Sequence, residues 1–228
     1  MLASAAVFKQ TTSSVNPAYT YALPDQHGDL SYGAAMKSTH RDAYAQAMVD
    51  ELDRCMNEFQ TLFPVEQMPA GAGPNDWSYD NPRFRTKTTG NGIATYHCRL
   101  TYSGKNKPSG DETFQPTAQM DDVKVFLQST VTDQANLSAI DIKAYFLNTP
   151  LQKYKYLRLA YKHIPPAVIA QHKWQHYEQR GYVLFEIRRA MYGMDDAARK
   201  SFLLITQRLR ARGYLSTERN PTVLVGET

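Results

Sequence analysis

Cysteine is scarce in this chain: Cys55 and Cys98 are the only two in 228 residues. They lie too far apart for a metal-ligand spacing and are too few for a disulfide framework, so reduced thiols in an intracellular protein are the simplest reading. Long hydrophobic runs are lacking too; no stretch approaches the roughly 20 apolar residues that a membrane-spanning helix needs. The short apolar start, Met1 to Val7, has no basic region before it and runs straight into Lys9, Gln10 and a Ser/Thr-rich stretch, which argues against a secretory signal. Acidic residues are absent between Asn81 and Gly110, where six basic ones stand.

What is present suits a folded chain. The hydrophobic share of 42% is ordinary for a globular protein, and the length allows one domain or two close lobes. The net charge of +4 hides an uneven split: residues 1–150 hold 12 Lys/Arg against 16 Asp/Glu, and residues 151–228 hold 14 against 6. The C-terminal part is therefore the one suited to a polyanion. Residues 1–36 show little periodicity and carry Pro17, Pro24, Gly28 and Gly33, the composition of a tail or linker, so the folded region is expected over 37–228.

Within that region the patterns alternate between helix and strand, predicting an α+β fold. Tyr44, Met48, Leu52, Met56 and Phe59 recur at helical spacing behind an N-cap at Ser38 or Thr39. Thr88 to Gly92 is a strong turn signal between two strand-like arms, giving a hairpin over Arg83 to Gly104. Its Arg83, Arg85, Lys87 and Arg99 interleave with Phe84, Tyr96 and Tyr102, which suits phosphate contact with base stacking, or simply a solvated basic hairpin. Asp121 and Asp122 open a helix with Val123, Phe126, Leu127 and Val131 along one side. Tyr154 to Leu159 and Val183 to Arg189 read as strands, and Pro165-Pro166 starts a helix. His172 and His176 stand four apart, but no third ligand is evident. A basic helix from about Asp196 to Arg212, ended by Gly213, leaves Arg199, Lys200, Arg208, Arg210 and Arg212 for solvent or phosphate.

The stretch Leu137 to Leu151 draws most attention. Its apolar, β-branched first half predicts a buried strand from about Leu137 into Ile142, with Pro150 limiting its continuation. Asp141 interrupts the apolar run. A carboxylate buried there needs a cation or hydrogen bonds, which makes it a candidate metal ligand; the alternative is an aspartate capping a turn at the strand edge.

Several of these segments, in order, resemble the reverse transcriptase of copia-type LTR retrotransposons. Asp141-Ile-Lys-Ala-Tyr-Phe-Leu-Asn148 is similar to the family's Asp-Val-Lys-x-Ala-Phe-Leu-Asn, with Phe146 on the family's Phe. Ile187-Arg-Arg-Ala-Met-Tyr-Gly-Met194 is similar to Leu-Lys-Lys-Ala-Leu-Tyr-Gly-Leu. Arg99-Leu100 with Gly104 resembles Ala-Arg-Leu-Val-x-x-Gly, Glu112 to Pro116 resembles Glu-Thr-Phe-Ser-Pro, and the likeness runs from about Arg41 to Val225. After Tyr192-Gly193 the chain departs: Asp195-Asp196 replaces a Lys-Gln pair that faces nucleic acid in the family. Met194-Asp195-Asp196 imitates the polymerase Tyr-x-Asp-Asp box, yet it opens a basic helix rather than sitting in a hairpin between apolar strands.

The resemblance implies a right-hand polymerase: fingers built from the basic hairpin and neighbouring helices, and an antiparallel palm sheet, incomplete here, packed on helices. Its reaction is RNA-directed DNA synthesis on a primer–template with dNTP, by two-Mg²⁺ nucleotidyl transfer, within a polyprotein that also serves DNA integration. Asp141 would bridge both ions with the Ile142 carbonyl as a further ligand. Phe146 would be the steric gate under the sugar, Arg99 the fingers cation for the triphosphate, and Tyr192 and Gly193 the place where template and incoming base stack. The family's second carboxylate pair falls beyond Thr228, so the isolated chain is expected not to polymerise. The alternative is a non-catalytic nucleic-acid-binding module derived from such an element. Either implies an intracellular setting, a cytoplasmic virus-like particle or the nucleus, and no membrane.

Overall fold

The computed structural model describes residues 29–104 and 113–226 and the backbone strand Ala6–Val7. In chain order the elements are β1 (Ala6–Val7), β2 (Leu30–Ser31), α1 (Tyr32–Lys37), α2 (Arg41–Asp53), β3 (Leu62–Pro64), β4 (Trp77–Tyr79), β5 (Arg83–Thr88) and β6 (Ala94–Arg99). Then follow α3 (Met120–Thr132), β7 (Ser138–Ala139), β8 (Pro150–Ala160), α4 (Pro166–His172), β9 (Glu178–Gln179), β10 (Tyr182–Arg189), α5 (Ala197–Arg210), β11 (Tyr214–Ser216) and β12 (Leu224–Gly226). The protein is mixed α+β with several antiparallel sheets. It divides into two compact units, one of residues 18–111 and 146–197, the other of residues 1–17, 112–145 and 198–228.

The larger unit holds a central sheet in the order β3-β10-β8-β4, with β9 on β10. β10 runs antiparallel to β3, β8 and β9, while β4 lies parallel to β8, so the sheet is mixed where an antiparallel one was expected. The inner face is apolar because the pleat aligns Leu157, Leu159, Val183, Phe185 and Ile187, all fully buried. Trp174, after α4, meets Phe185 edge-on at 5.1 Å. Pro150 does not limit a preceding strand; it begins β8, a first-residue position where its missing N–H is tolerated.

A second sheet, β2-β5-β6, packs against α2. Tyr44 stands edge-on to Phe84 at 5.6 Å and to Tyr96 at 5.1 Å, and its hydroxyl shares a hydrogen bond with Thr86 Oγ1 at 2.7 Å. The helical stripe read from the sequence is correct at Tyr44, Met48 and Leu52, which are buried. Beyond Asp53 the helix widens to π geometry over Arg54–Glu58. The extra residue rotates the face, so Cys55 takes the core position and Met56 and Phe59 sit half-exposed. The cap falls at His40, one residue past the two expected.

Structure begins within the stretch read as a tail, since β2 and α1 cover Leu30 to Lys37. Ser31 caps α1 by accepting from Ala34 N, and Tyr32 donates to Lys162 O at 2.6 Å. Among the described residues no helix is long and apolar enough to cross a membrane.

In the smaller unit the expected helix over 121–131 is α3, but nothing along it is buried; Val123, Phe126, Leu127 and Val131 are all exposed. The basic helix is α5, followed by the hairpin β11–β12 after Gly213, whose φ of 86° permits the reversal. Asn220 donates to Asp122 Oδ2 at 2.6 Å, tying this hairpin to the start of α3.

The buried strand expected over Leu137 to Ile142 is not there. β7 spans only Ser138–Ala139 and pairs with β1 alone. Ile140 is 60% exposed and Asp141 lies in the open, so the argument from a buried carboxylate does not apply to it. Pairing has ended by Ile140, and the chain then turns at 143–145 with Ala144 in the left-handed region, φ 50°.

One acid that the fold does bury is Asp76, beside the central sheet. It accepts from Lys153, Lys155 and the Gly73 N–H. Burial alone would raise its pKa, but the Lys153 hydrogen bond, the Gly73 N–H and Lys155 outweigh it and hold the carboxyl below the usual range. A carboxylate with a depressed native pKa adds stability above its unfolded value and loses it as pH falls through the native one. Asp76→Asn is therefore expected to cost about 3 kcal/mol in urea unfolding at pH 7. The gap from wild type should close progressively as the pH is lowered through the acid limb.

Candidate functional site

The hairpin arises as its sequence indicates. Thr89 and Ile93 close the turn with a 2.9 Å backbone bond, and Gly92 supplies the positive φ of 76° that the reversal needs. The register sets Phe84 opposite Cys98 and Thr86 opposite Tyr96 on the face toward α2. On the other face Arg83 stands opposite Arg99, Arg85 opposite His97 and Lys87 opposite Thr95, and all four basic residues are exposed. Like charges directly opposite in a ladder are destabilising, and here no acid stands between Arg83 and Arg99 in the pairing. Arg85 Nε pairs with the Asp29 carboxylate at 2.8 Å. Burial first, then Lys87 and Arg54, hold the His97 imidazole below its usual range, so it is neutral at pH 7.

At the end of β6 the Arg99 guanidinium lies over the Tyr192 ring, 4.4 Å from its centroid. Phe146 meets the same ring edge-on at 5.3 Å. Phe146 belongs to a single 3-10 turn, Phe146–Asn148, closed by Thr149 N donating to Phe146 O at 2.8 Å; Ala190 N then donates to Thr149 O at 2.8 Å. The structure thus brings together Arg99, Phe146, Tyr192 and Gly193, which lie far apart in the chain.

Backbone, not side chains, holds this cluster. Tyr102 N donates to Tyr192 O at 2.7 Å, and Gly104 and Gly193 let two strands of chain touch. A Cβ on Gly104 would come within 2.3 Å of Gly193 O, and one on Gly193 within 2.1 Å of Tyr102 O. The same segment is stitched to β4, because Ser103 N donates to Tyr79 O at 3.1 Å and Ser78 Oγ to Ser103 O at 2.7 Å. Under it, Glu51 accepts from Leu100 N at 3.0 Å and from the Arg54 guanidinium. Burial pushes the Glu51 carboxyl up, against the pull of Arg54 and the Leu100 N–H. Cys55 and Cys98, both free and buried, have their thiols pushed up by burial and then by Glu51.

No family model matches this sequence, and neither a curated protein nor a solved structure is significantly similar to it.

The remaining expected site residues fall elsewhere. Asp141 and Ile142 belong to the smaller unit, Asp141 exposed and Ile142 half-buried before the turn at 143–145. Among the described residues no group of three or more His, Cys, Asp or Glu side chains could hold a metal. One carboxylate and one carbonyl meet only part of the oxygen demand of two magnesium ions, so the donors at hand fit that centre poorly. His172 stacks on Trp174 at 4.9 Å and His176 meets Tyr177 at a tilt, 4.1 Å between centroids, packing roles that do not bring the pair into a ligand set. Arg199 lies half-buried in the first turns of α5 and already takes part in an interaction, so it is not on an open basic face. Asp195 and the buried Asp196 form the turn just before α5, in agreement with a helix start rather than a catalytic hairpin.

Sequence reasoning missed a polar pair under α1. Asp80, almost fully buried, accepts from Ala160 N at 3.0 Å and pairs with His163 Nδ1 at 2.5 Å, and the Tyr32 ring lies 4.1 Å from the imidazole. His163 and Tyr32 border a cavity of about 420 Å³ walled by Met48, Ile164, Pro165 and Ile169. The only sequence signal for it was the His163-Ile-Pro-Pro turn after a strand.

Gly193→Ala is expected to lower the unfolding free energy by about 2 kcal/mol or more, read as a lower urea midpoint, because both its φ of 88° and the 2.1 Å clash oppose a Cβ. Tyr192→Leu, which keeps the backbone bond and removes the ring under Arg99, should cost no more than about 1 kcal/mol.

Proposed function

We propose that this chain is a reverse-transcriptase-like fragment of a copia-type retroelement, comprising fingers and the first part of a palm, whose larger unit binds primer–template and the triphosphate of an incoming nucleotide. The observation that carries the reading is the Arg99–Tyr192–Phe146 cluster: three residues assigned to the nucleotide by resemblance, 47 and 46 positions apart along the chain, meet ring to ring and cation to ring. A guanidinium lying on an aromatic keeps its in-plane N–H donors for phosphate, and the ring edge beside it offers a surface for a base or sugar.

The outer face of β5–β6 extends the same surface with positive charge. Arg83 opposite Arg99 is a pairing that costs stability and gains it back when an anion lies between, which is how a phosphate backbone is gripped. A second reading, a non-catalytic nucleic-acid-binding module derived from such an element, is favoured by this face in particular, since gripping phosphate requires no metal. Within either reading no metal-dependent step follows from the donors at Asp141 and Ile142.

The test is binding of a labelled primer–template duplex across a salt series. Wild type should lose affinity steeply with salt, and Arg83→Glu/Arg99→Glu should bind about tenfold or more weakly with a shallower slope. Asp141→Asn should bind duplex as wild type does. Binding that ignores the charge reversals would overturn both readings, and Asp141-dependent dNTP incorporation in Mg²⁺ by this chain would overturn its reading as a fragment inactive alone.

A further inference from the structure

The central sheet has a second face, and its composition is unusual. The pleat that buries Leu157, Phe185 and Ile187 turns the alternate residues the other way: Phe63 from β3, Trp77 and Tyr79 from β4, Tyr154 from β8 and Tyr182 from β10. An antiparallel face left to water normally carries Thr, Lys, Glu or Gln. Here rings remain open to solvent, with Tyr79 42% and Tyr154 41% exposed. They touch in series: Trp77 meets Tyr79 edge-on at 5.4 Å, and Tyr79 meets Tyr182 at 5.4 Å.

Two arginines lie over this carpet. The Arg158 guanidinium sits 4.0 Å from the Trp77 centroid, and that of Arg188 sits 3.8 Å from Phe63 and 5.6 Å from Tyr154. Among the described residues of these strands one carboxylate shares the face, Glu186, and Arg188 Nε donates to it at 2.7 Å. Two guanidiniums thus stand against one carboxylate, and the face favours an anion. Aliphatic side chains, which a protein-docking core draws on, are missing from its open part; Leu184, the leucine on this side, is itself buried. Exposed rings with arginine planes among them, carried on a sheet whose other face is packed, are the chemistry that stacks unpaired bases while meeting phosphates.

We propose that this outer face binds single-stranded RNA or DNA, with bases stacking on Tyr79 and Tyr154 and phosphates meeting Arg158 and Arg188. It is carried by residues other than those of the basic hairpin and the Arg99 cluster, so the two surfaces fail or succeed separately.

The experiment titrates the full chain into fluorescein-labelled 12-mers of oligodeoxythymidylate and oligouridylate and follows anisotropy. Tyr79→Ala/Tyr154→Ala should weaken binding of at least one oligomer by about tenfold or more, while Tyr79→Phe/Tyr154→Phe, which keeps both rings, should stay within about twofold of wild type. Arg158→Gln should weaken it independently, and oligomer should quench tryptophan emission in the wild type, where Trp174 is buried and Trp77 lies on the face. The hairpin reversal Arg83→Glu/Arg99→Glu, which weakens duplex binding about tenfold or more if the proposed function holds, should leave the tyrosine dependence intact. Wild-type affinity in a folded Ala variant, or no binding of either oligomer to the wild type, would overturn the proposal. Self-association that the Ala substitutions abolish, without oligomer binding, would overturn it also and give the face to a second copy of the chain.

Discussion

A place where two backbones touch holds the larger unit's surface together. Tyr102 to Gly104 and Tyr192 to Gly193 approach so closely that neither glycine has room for a Cβ, and Tyr102 N donates to Tyr192 O across the gap. Everything nearby inherits its position from that contact. β6 delivers Arg99 just before it, β10 delivers Tyr192 just after, and the 3-10 turn carrying Phe146 is bonded through Thr149 to Ala190 at the end of β10. Because the contact is made by main-chain atoms, it constrains the side chains above it without using any of them, which leaves Arg99 and Tyr192 free to face outward.

Beneath this surface the fold keeps its charges in pairs. Glu51 takes Arg54 and the Leu100 N–H, Asp76 takes two lysines and the Gly73 N–H, and Asp80 takes His163 and the Ala160 N–H. Each of these acids joins a strand or strand end to a neighbouring element, so each fixes a register while satisfying a buried carboxylate. The arginines follow another rule: Arg99, Arg158 and Arg188 lie on rings. Acids bind the larger unit internally, and arginines with aromatics make its outer faces.

Much of this was legible in the chain. The α+β pattern, the hairpin about Thr88 to Gly92, β8, β10, the Pro-initiated α4 and the basic α5 ended by Gly213 all follow from local periodicity and turn chemistry, which act over a few residues. The basic outer face of the hairpin was legible for the same reason, since alternation alone assigns Arg83, Arg85, Lys87 and Arg99 to one side. The stretch around Asp141 was misjudged because an apolar β-branched run says only that a strand is favourable, not that a partner strand exists on each side. Ala144 in a left-handed turn has no sequence signature, and the chain reverses there instead of continuing as a strand. The aromatic side of the central sheet did have a signature, Trp77-Ser-Tyr79 and Tyr154-Lys-Tyr156-Leu-Arg158, alternation with rings where polar residues usually stand.

The sequence by itself determined most of the helices and strands and which side of the hairpin is basic, because propensity, alternation and glycine-dependent turns are local. The tertiary structure decided what meets what. That β4 lies parallel to β8, that a π turn gives Cys55 the place of Met56, that Arg99 reaches Tyr192, and that one face of the central sheet is packed while the other keeps its rings open all depend on contacts between residues distant in the chain. Such contacts form only when strand pairing and side-chain packing are satisfied together, and no window of local sequence contains that condition.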